Sequence, residues 1–387
     1  MSQKFYKNPI NPWIYILRNK FKTFILLAIF ALSLVAILSP KTIFLSLEGD
    51  FKRYAKFFEK TSIFELSLAK EDFSPEKLEA KLNESSTVSE FVRGADGVIS
   101  VKSIQGMFYQ KVAFVDENDQ TKFLKNLDWS LESGRLPQKN TNQIALSHRV
   151  AKNKGVKIGD FVGRETTSSS EYLPGKFEVV GILNTGEGDG GLADLSYQIK
   201  DYPNQIPFSW NYFVFSDNQT KVEELFDEVK KDDVSGQLSI TNYKTEIELL
   251  NSLNQTFDTV NWILNLIITV TICAVMILLN QINIYVRQSE IGILLAIGYT
   301  KTQLAIRFML ESFGQVAVSY ILGMGLMSVI CYLVNLVFFD PVAISTINPW
   351  NMEIVLLSLP LPIVAFTSTL ILFVAKFRKI DPVSLID

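Results

Sequence analysis

The chain has 387 residues, 48% of them hydrophobic, with a formal net charge of −3 and a single histidine. That apolar content excludes an ordinary soluble enzyme; the charges are unevenly distributed, so the net value says nothing of partners, and nothing in the chain resembles a large basic surface for nucleic acid. The two cysteines, Cys273 and Cys331, fall inside long apolar runs, which excludes a disulfide framework.

In chain order, the first long apolar run extends from Thr23 to Pro40 without a charge. Basic residues precede it, as in a signal peptide, but Ser39-Pro40-Lys41 is a poor cleavage site, so the run is read as an uncleaved anchor. Three more runs lie between Asp258 and Arg287, between Glu311 and Asp340, and between Glu353 and Lys376. Each is long enough to cross a bilayer core about 30 Å thick, which takes roughly 20 apolar residues in a helix. The second and third are uncharged over about 42 Å of helix, more than the core requires. Phe51, Tyr54, Phe57 and Phe58 recur at helical spacing after the first run, and Ile247, Leu250, Leu253 and Phe257 do so before the second. That periodicity predicts helical stalks continuing outward from both.

Lysine and arginine set the orientation. Lys4, Lys7, Arg18, Lys20 and Lys22 precede the first span; Arg287, Lys301 and Arg307 lie between the second and third; Lys376, Arg378 and Lys379 follow the fourth. These regions, and with them both termini, are expected in the cytoplasm. The loop from Asp340 to Asn351 carries no basic residue and belongs outside. Trp262 and Trp350 fall near the outer ends of spans, and Trp13 on a short apolar stretch suits an in-plane helix; simple packing explains all three equally well.

Roughly residues 46 to 250 then form an exterior domain inserted between the first two spans. Ser62 to Ala69 alternates like a strand, and Ser74 to Phe91 reads as a helix capped by Ser74 with Pro75 in its first turn. Gly97 to Phe114, Lys176 to Leu183 and Gln237 to Thr241 look like strands, and Val222 to Val229 like a helix. The predicted fold class is a four-helix membrane protein with a large α+β extracytoplasmic domain. Gly134 and Gly159 are predicted turn residues within a small β subdomain.

Catalytic signatures are missing. No phosphate loop occurs, and Gly186-Glu-Gly-Asp-Gly-Gly lacks the Lys and Ser that would complete one; it reads as a mobile acidic loop. His148 has no companions for a metal site, and nothing supports a triad. No catalytic residue, metal site or cofactor is assigned to this chain. Within the membrane, Gly314, Gly323 and Gly325 suit close helix contact, and Pro360 and Pro362 should kink the fourth span. Asn261, Asn265, Asn280, Gln281, Asn283, Gln315 and Asn335 are expected to face protein rather than lipid.

The most informative segment is Arg287-Gln-Ser-Glu-Ile-Gly-Ile-Leu-Leu-Ala-Ile-Gly-Tyr-Thr-Lys-Thr-Gln-Leu, leading to Phe308-Met-Leu-Glu-Ser. Ile291 to Ile297 reads as a short apolar helix ended by a left-handed Gly298. Such a helix needs cover, either from the bundle or membrane surface or from a partner groove that takes Leu294, Leu295 and Ile297 as anchors.

This motif resembles the signature of the MacB/FtsX-like permeases, the type VII ABC transporters that include the lipoprotein-releasing Lol permeases. Arg378-Lys-Ile-Asp-Pro-Val-Ser-Leu is similar to their C-terminal motif, and Gly134-Arg-Leu-Pro, Gly159-Asp and Val179-Val-Gly-Ile to their exterior core domain. The resemblance implies three parts: residues 1–45 with the first span, 46–250 as the exterior MacB-like core with stalks, and 251–387 with the remaining spans. It implies that Glu290, Ile291, Gly292, Leu294, Leu295, Ala296, Ile297 and Gly298 couple to a separate ABC ATPase dimer, which carries the ATP and Mg. It also implies a second permease protomer, identical or not, in a bacterial cytoplasmic membrane, with an exterior adaptor protein left open. The implied activity is ATP-driven mechanotransmission that exports or extracts hydrophobic cargo such as a lipoprotein, lipid, glycolipid or drug. A signal transmitter controlling a cell-wall hydrolase, and a heme or peptide exporter, are the alternatives. Unlike MacB, these residues include no fused ATPase domain; the exterior domain is larger than FtsX division proteins lead one to expect, and the chain lacks the ten spans of the antimicrobial-peptide relatives.

Overall fold

The computed structural model describes residues 20–67, 74–104, 106–166, 171–197, 209–233 and 236–379. Trp13, the basic residues up to Arg18 and the motif from Ile380 onward lie outside them. The chain falls into two units, a helical one (1–44, 256–334 and 347–387) and a sheet one (45–255 and 335–346).

The helical unit takes its helices from four apolar stretches long enough to cross a membrane. They are α1 (Lys20–Lys56), α6 (Tyr243–Val286), α8 (Lys301–Val334) and the pair α9 (Met352–Ser358) and α10 (Pro360–Lys379). Helices α1 and α6 run on well past the apolar runs, as the stalk periodicity predicts, and Pro40 sits inside α1 without ending it. The fourth span is interrupted at Leu359, because Pro360 has no N–H to continue the ladder of α9. Of the three span-three glycines, Gly323 marks a close approach: a Cβ there would lie 2.8 Å from Leu34 Cδ2 and 3.2 Å from Ala31 Cα of α1. Gly325 faces open space. Among the amides expected to face protein, Asn261 and Gln315 are buried and Asn265 and Gln281 half-buried, while Asn335, also half-buried, falls in the sheet unit; the side chains of Asn280 and Asn283 lie outside the described residues.

The sheet unit is built on β1 (Thr61–Ser67), β2 (Glu90–Ser103), β3 (Gly106–Val115), β4 (Ser130–Gly134), β5 (Gln143–Ser147), β6 (Phe161–Val162), β7 (Phe177–Asn184), β8 (Gly191–Asp194), β9 (Ser209–Phe215) and β10 (Leu238–Thr241). Their order is β10-β1-β9-β2-β3-β8-β5-β7-β4, with β6 on β7. Pairing is antiparallel except for β3 with β8 and β5 with β7. Helices α2 (Pro75–Glu84), α3 (Glu117–Asn126), α4 (His148–Lys154) and α5 (Gln219–Lys230) accompany the sheet, so the domain is α+β as expected.

Two sequence readings are corrected. The expected helix from Ser74 to Phe91 stops at Glu84, and Glu90 and Phe91 open β2 by pairing with Phe215 and Val214. Their apolar spacing fits a helix, but the ladder to β9 satisfies their backbone and buries the strand. The expected single strand Gly97 to Phe114 is a hairpin, turned next to Gly106, whose φ is 110°.

The motif glycines converge. Gly134 pairs with Gly181 across β4 and β7; a Cβ on Gly134 would lie 2.2 Å from Val180 O, and one on Gly181 2.3 Å from Arg135 O. Only glycine permits backbones this close. The resembling series Gly134-Arg-Leu-Pro and Val179-Val-Gly-Ile thus meets in one β4–β7 contact.

The core of this unit is aromatic. Phe57, just past α1, packs with Phe123, Trp129, Phe213 and Phe215, all buried. The acidic loop 186–191, read from the sequence as a mobile loop, is partly inward-facing. Asp189 is buried and its Oδ1 accepts from Ser147 Oγ at 3.2 Å. The lack of a side chain on Gly190, where a Cβ would meet Trp129 at 2.8 Å, lets the loop close onto the domain.

Burial pushes the Asp189 carboxyl up to about 6, against the opposing pull of Arg149 and Arg53. Because its folded value exceeds the unfolded one, Asp189 favours the folded state below about pH 4, and that advantage fades as pH rises through about 6. Asp189→Asn is expected to raise the melting temperature of the full chain at pH 7.5, while the difference from wild type shrinks toward pH 4. Melting curves across that range check it, and a pH-independent difference contradicts it.

The segment 335–346, which connects spans three and four, is fastened within the sheet unit. Asp50 Oδ1 accepts from Ser345 N at 2.9 Å, Arg53 Nη1 donates to Ala343 O at 3.2 Å, and Asn153 Nδ2 donates to Val342 O at 2.6 Å. Ser46 Oγ also donates to Ser345 O. Asp50 and Asn153 are both more than nine-tenths buried.

Candidate functional site

Helix α7 (Gln288–Ala296) lies between the second and third spans. From Ile291 to Ile297 it carries no polar side chain, so this stretch must be covered on more than one side. One side packs within the helical unit: Ile291 and Leu294 join Ile284, Leu304, Phe308 and Phe373 in a buried cluster. Leu295 is half-buried against it, and Gly292 is buried. The opposite side is bare, with Ile293 61% and Ile297 70% exposed. Four residues apart, these two stand one above the other on the same helix face.

The helix ends as the sequence predicts. Gly298 has φ 104°, its N–H donates to Leu295 O at 3.0 Å, and Tyr299 N–H donates to Leu294 O at 3.1 Å. This is a Schellman closure, and Tyr299 supplies its hydrophobic contact by packing against the Leu294 cluster.

Beneath α7 lies a four-charge lattice. Arg287 Nη1 donates to both oxygens of Glu311, at 3.2 and 3.0 Å, and Arg287 Nε donates to Glu290 Oε2 at 3.0 Å. Arg307 Nη2 donates to Glu290 Oε1 at 3.0 Å. Arg287, Arg307 and Glu311 are each no more than 4% exposed, and the Arg287 guanidinium stands 4.3 Å over the Phe308 ring. Two arginines against two glutamates neutralise one another, as buried charges must. Burial works to raise the Glu290 carboxyl, but the two arginines prevail and hold it below the ordinary carboxylate range.

Of the residues anticipated for coupling, Ile291, Gly292 and Leu294 thus belong to the inward side, Glu290 and Leu295 to the margin, and Ala296, Ile297 and Gly298 to the exposed side. Ile293, Arg287 and Glu311 lie in the quoted motif and Arg307 beside it, but none is among the residues anticipated for coupling. The Ile293–Ile297 interval and the Arg287–Glu290 interval, neighbours on a helix surface, were the signals available. His148 is 3.4 Å from Glu132, and the described residues contain no cluster able to hold a metal ion.

The helical unit defines a protein with, among the described residues, four helices long and apolar enough to cross a membrane. More particularly, residues 262–382 match the family model FtsX-like permease C-terminal. The match spans the last part of α6 with α7, α8, α9 and α10, so over this stretch the chain is similar to FtsX-like permeases. No curated protein matches the chain. Among solved structures, it is similar to the periplasmic region of MacB from Actinobacillus actinomycetemcomitans, at 12% identity and TM-score 0.30 over 52% of this chain and 97% of that one. It is also similar to the extracellular domain of the noncanonic ABC-type transporter YknZ from Gram-positive bacteria, at 11% identity and TM-score 0.30 over 47% and 100% of the two chains. A domain of a permease protein from Porphyromonas gingivalis aligns at 12% identity and TM-score 0.27 over 48% and 89%. At such scores these likenesses add nothing to the strand order already described.

Proposed function

We propose that this chain is the permease subunit of an ATP-driven mechanotransmission transporter, with α7 as the helix that docks on a separate ATPase. The observation carrying this is the bare Ile293–Ile297 face on a helix braced from behind by the buried Arg287–Glu311 pair and the half-buried Arg307–Glu290 pair. A projection that is apolar outside and rigid inside suits a groove in a partner that pushes on it. In this reading ATP and Mg reside on the ATPase dimer, and a second permease protomer completes the assembly. The basic loop between spans two and three faces the cytoplasm with both termini, and residues 46–250 face outward. Nucleotide-driven closure is passed along α1 and α6 to the exterior domain. Its work is the export or extraction of hydrophobic cargo at the outer side of a bacterial cytoplasmic membrane. Transport is favoured over pure signal transmission by an open groove of about 700 Å³ in the helical unit, walled mainly by apolar side chains.

The test is affinity purification of the tagged chain in mild detergent. Wild type is expected to bring down an ATPase with a phosphate loop. The Ile293→Asp/Ile297→Asp variant should lose at least about nine-tenths of it, the effect of removing two central apolar anchors, while eluting at the same size. A variant that retains the ATPase fully, or a wild type that never brings one down, overturns the reading.

A further inference from the structure

The groove in the helical unit has a chemical pattern that points to its occupant. Its walls include Ile37, Leu266, Val270 and Leu361, and from Asp258 to Val270 helix α6 carries it along about 18 Å. At one end Lys41 stands 2.8 Å from Asp258 and 3.5 Å from Glu353. One cation thus faces two carboxylates. The Lys41 side chain is only 14% exposed, whereas those of Asp258 and Glu353 are 60% and 61% exposed. The surplus charge at the groove mouth is therefore negative and outward-facing. Next to it lies Asn261, 8% exposed, which lines the groove and whose Nδ2 has no hydrogen-bond partner among the described residues. A buried amide left without an acceptor costs free energy, which a ligand oxygen at that place offsets.

The geometry points to a cationic amphiphile, taken laterally from the surrounding bilayer, as the occupant of this groove. Its hydrocarbon lies along Leu266 and Val270, an ester or amide oxygen accepts from Asn261 Nδ2, and its ammonium pairs with Asp258 and Glu353. This rests on the transport reading above and narrows its cargo to amphiphiles bearing an amine. An anionic amphiphile meets two carboxylates at the mouth and is disfavoured. A second copy of this chain covering the groove is the rival occupant.

The test uses the full chain in nanodiscs of zwitterionic lipid and follows quenching of Trp262, which lines the groove and is 66% exposed. The probes are three nitroxide-labelled long-chain amides that differ only in an ammonium, hydroxyl or carboxylate head, and Trp262→Phe supplies the background. The ammonium probe is expected to quench at about tenfold lower concentration than the carboxylate probe, and Asp258→Asn/Glu353→Gln should abolish that preference. Asn261→Leu should weaken all three probes alike. Lys41→Met, which removes the competing cation, should strengthen ammonium binding, a gain that misfolding cannot imitate. Equal quenching by all heads, or a preference that survives the double substitution, overturns the inference. So does the absence of quenching together with disulfide formation between two Trp262→Cys chains, which places a second copy in the groove. ATPase capture is independent of these readouts: capture without head-group preference retains the permease reading and rejects the amphiphile, and the converse result rejects the permease alone.

Discussion

Arg287→Met is expected to destabilise the helical unit by about 3–5 kcal/mol, the cost of leaving a buried carboxylate without its partner. Both Glu311 oxygens accept from Arg287 Nη1, and Glu311 is 2% exposed, so the substitution strands a charge. Arg287→Lys restores charge but not the fork that reaches Glu290 and Glu311 together, and should recover only part of the loss. Replacing both partners, as Arg287→Met/Glu311→Met, should recover most of it, because an apolar pair of similar volume removes the stranded charge. Thermal unfolding of the four proteins in detergent checks the pattern. A double variant as unstable as the sum of its single losses means that the lattice is more than a pair and that Arg307 is drawn into it.

Phe123→Ala should cost the sheet unit about 3–5 kcal/mol, as large-to-small changes of a buried aromatic do. Phe123 is fully buried, and its ring centroid lies 5.1 Å from that of Phe213, 5.7 Å from Phe215 and 6.4 Å from Trp129. The loss combines the apolar area returned to water with a cavity that the rigid strand β9 closes only in part. Phe123→Leu should cost roughly half as much, since it keeps most of the volume. Trp129 fluorescence during unfolding reports on this core directly, and a loss below about 1 kcal/mol for the alanine variant contradicts a packed site.

The membrane helices were legible because bilayer thickness leaves a long uncharged run little alternative. The Gly298 closure was legible for a similar reason, since a glycine after an apolar run marks a left-handed end. The sheet unit was legible in class but not in detail. Glu90 and Phe91 satisfy a helical period and a strand equally well, and only the distant partners Phe215 and Val214 decide between them. The glycine-rich neighbours of Asp189 suggest a loop but not where its carboxylate turns, which is toward Ser147. At α7, composition identified an apolar helix but not its two faces; Leu294 turns inward because Leu304, Phe308 and Phe373 converge on it from two other helices. The groove was out of reach for the same reason. Lys41, Asp258 and Glu353 come from three spans, and no sequence interval links them.

The fastening of residues 335–346 makes the sheet unit a joinery of two separate lengths of chain rather than a bead threaded on one. A chimaera that exchanges only residues 46–250 with a relative brings in foreign counterparts of Asp50, Arg53 and Asn153 but keeps the native strip that they clasp. The mismatch falls on a carboxylate and an amide that are both buried. Transplanting the sheet unit intact therefore requires moving the short strip 335–346 along with it.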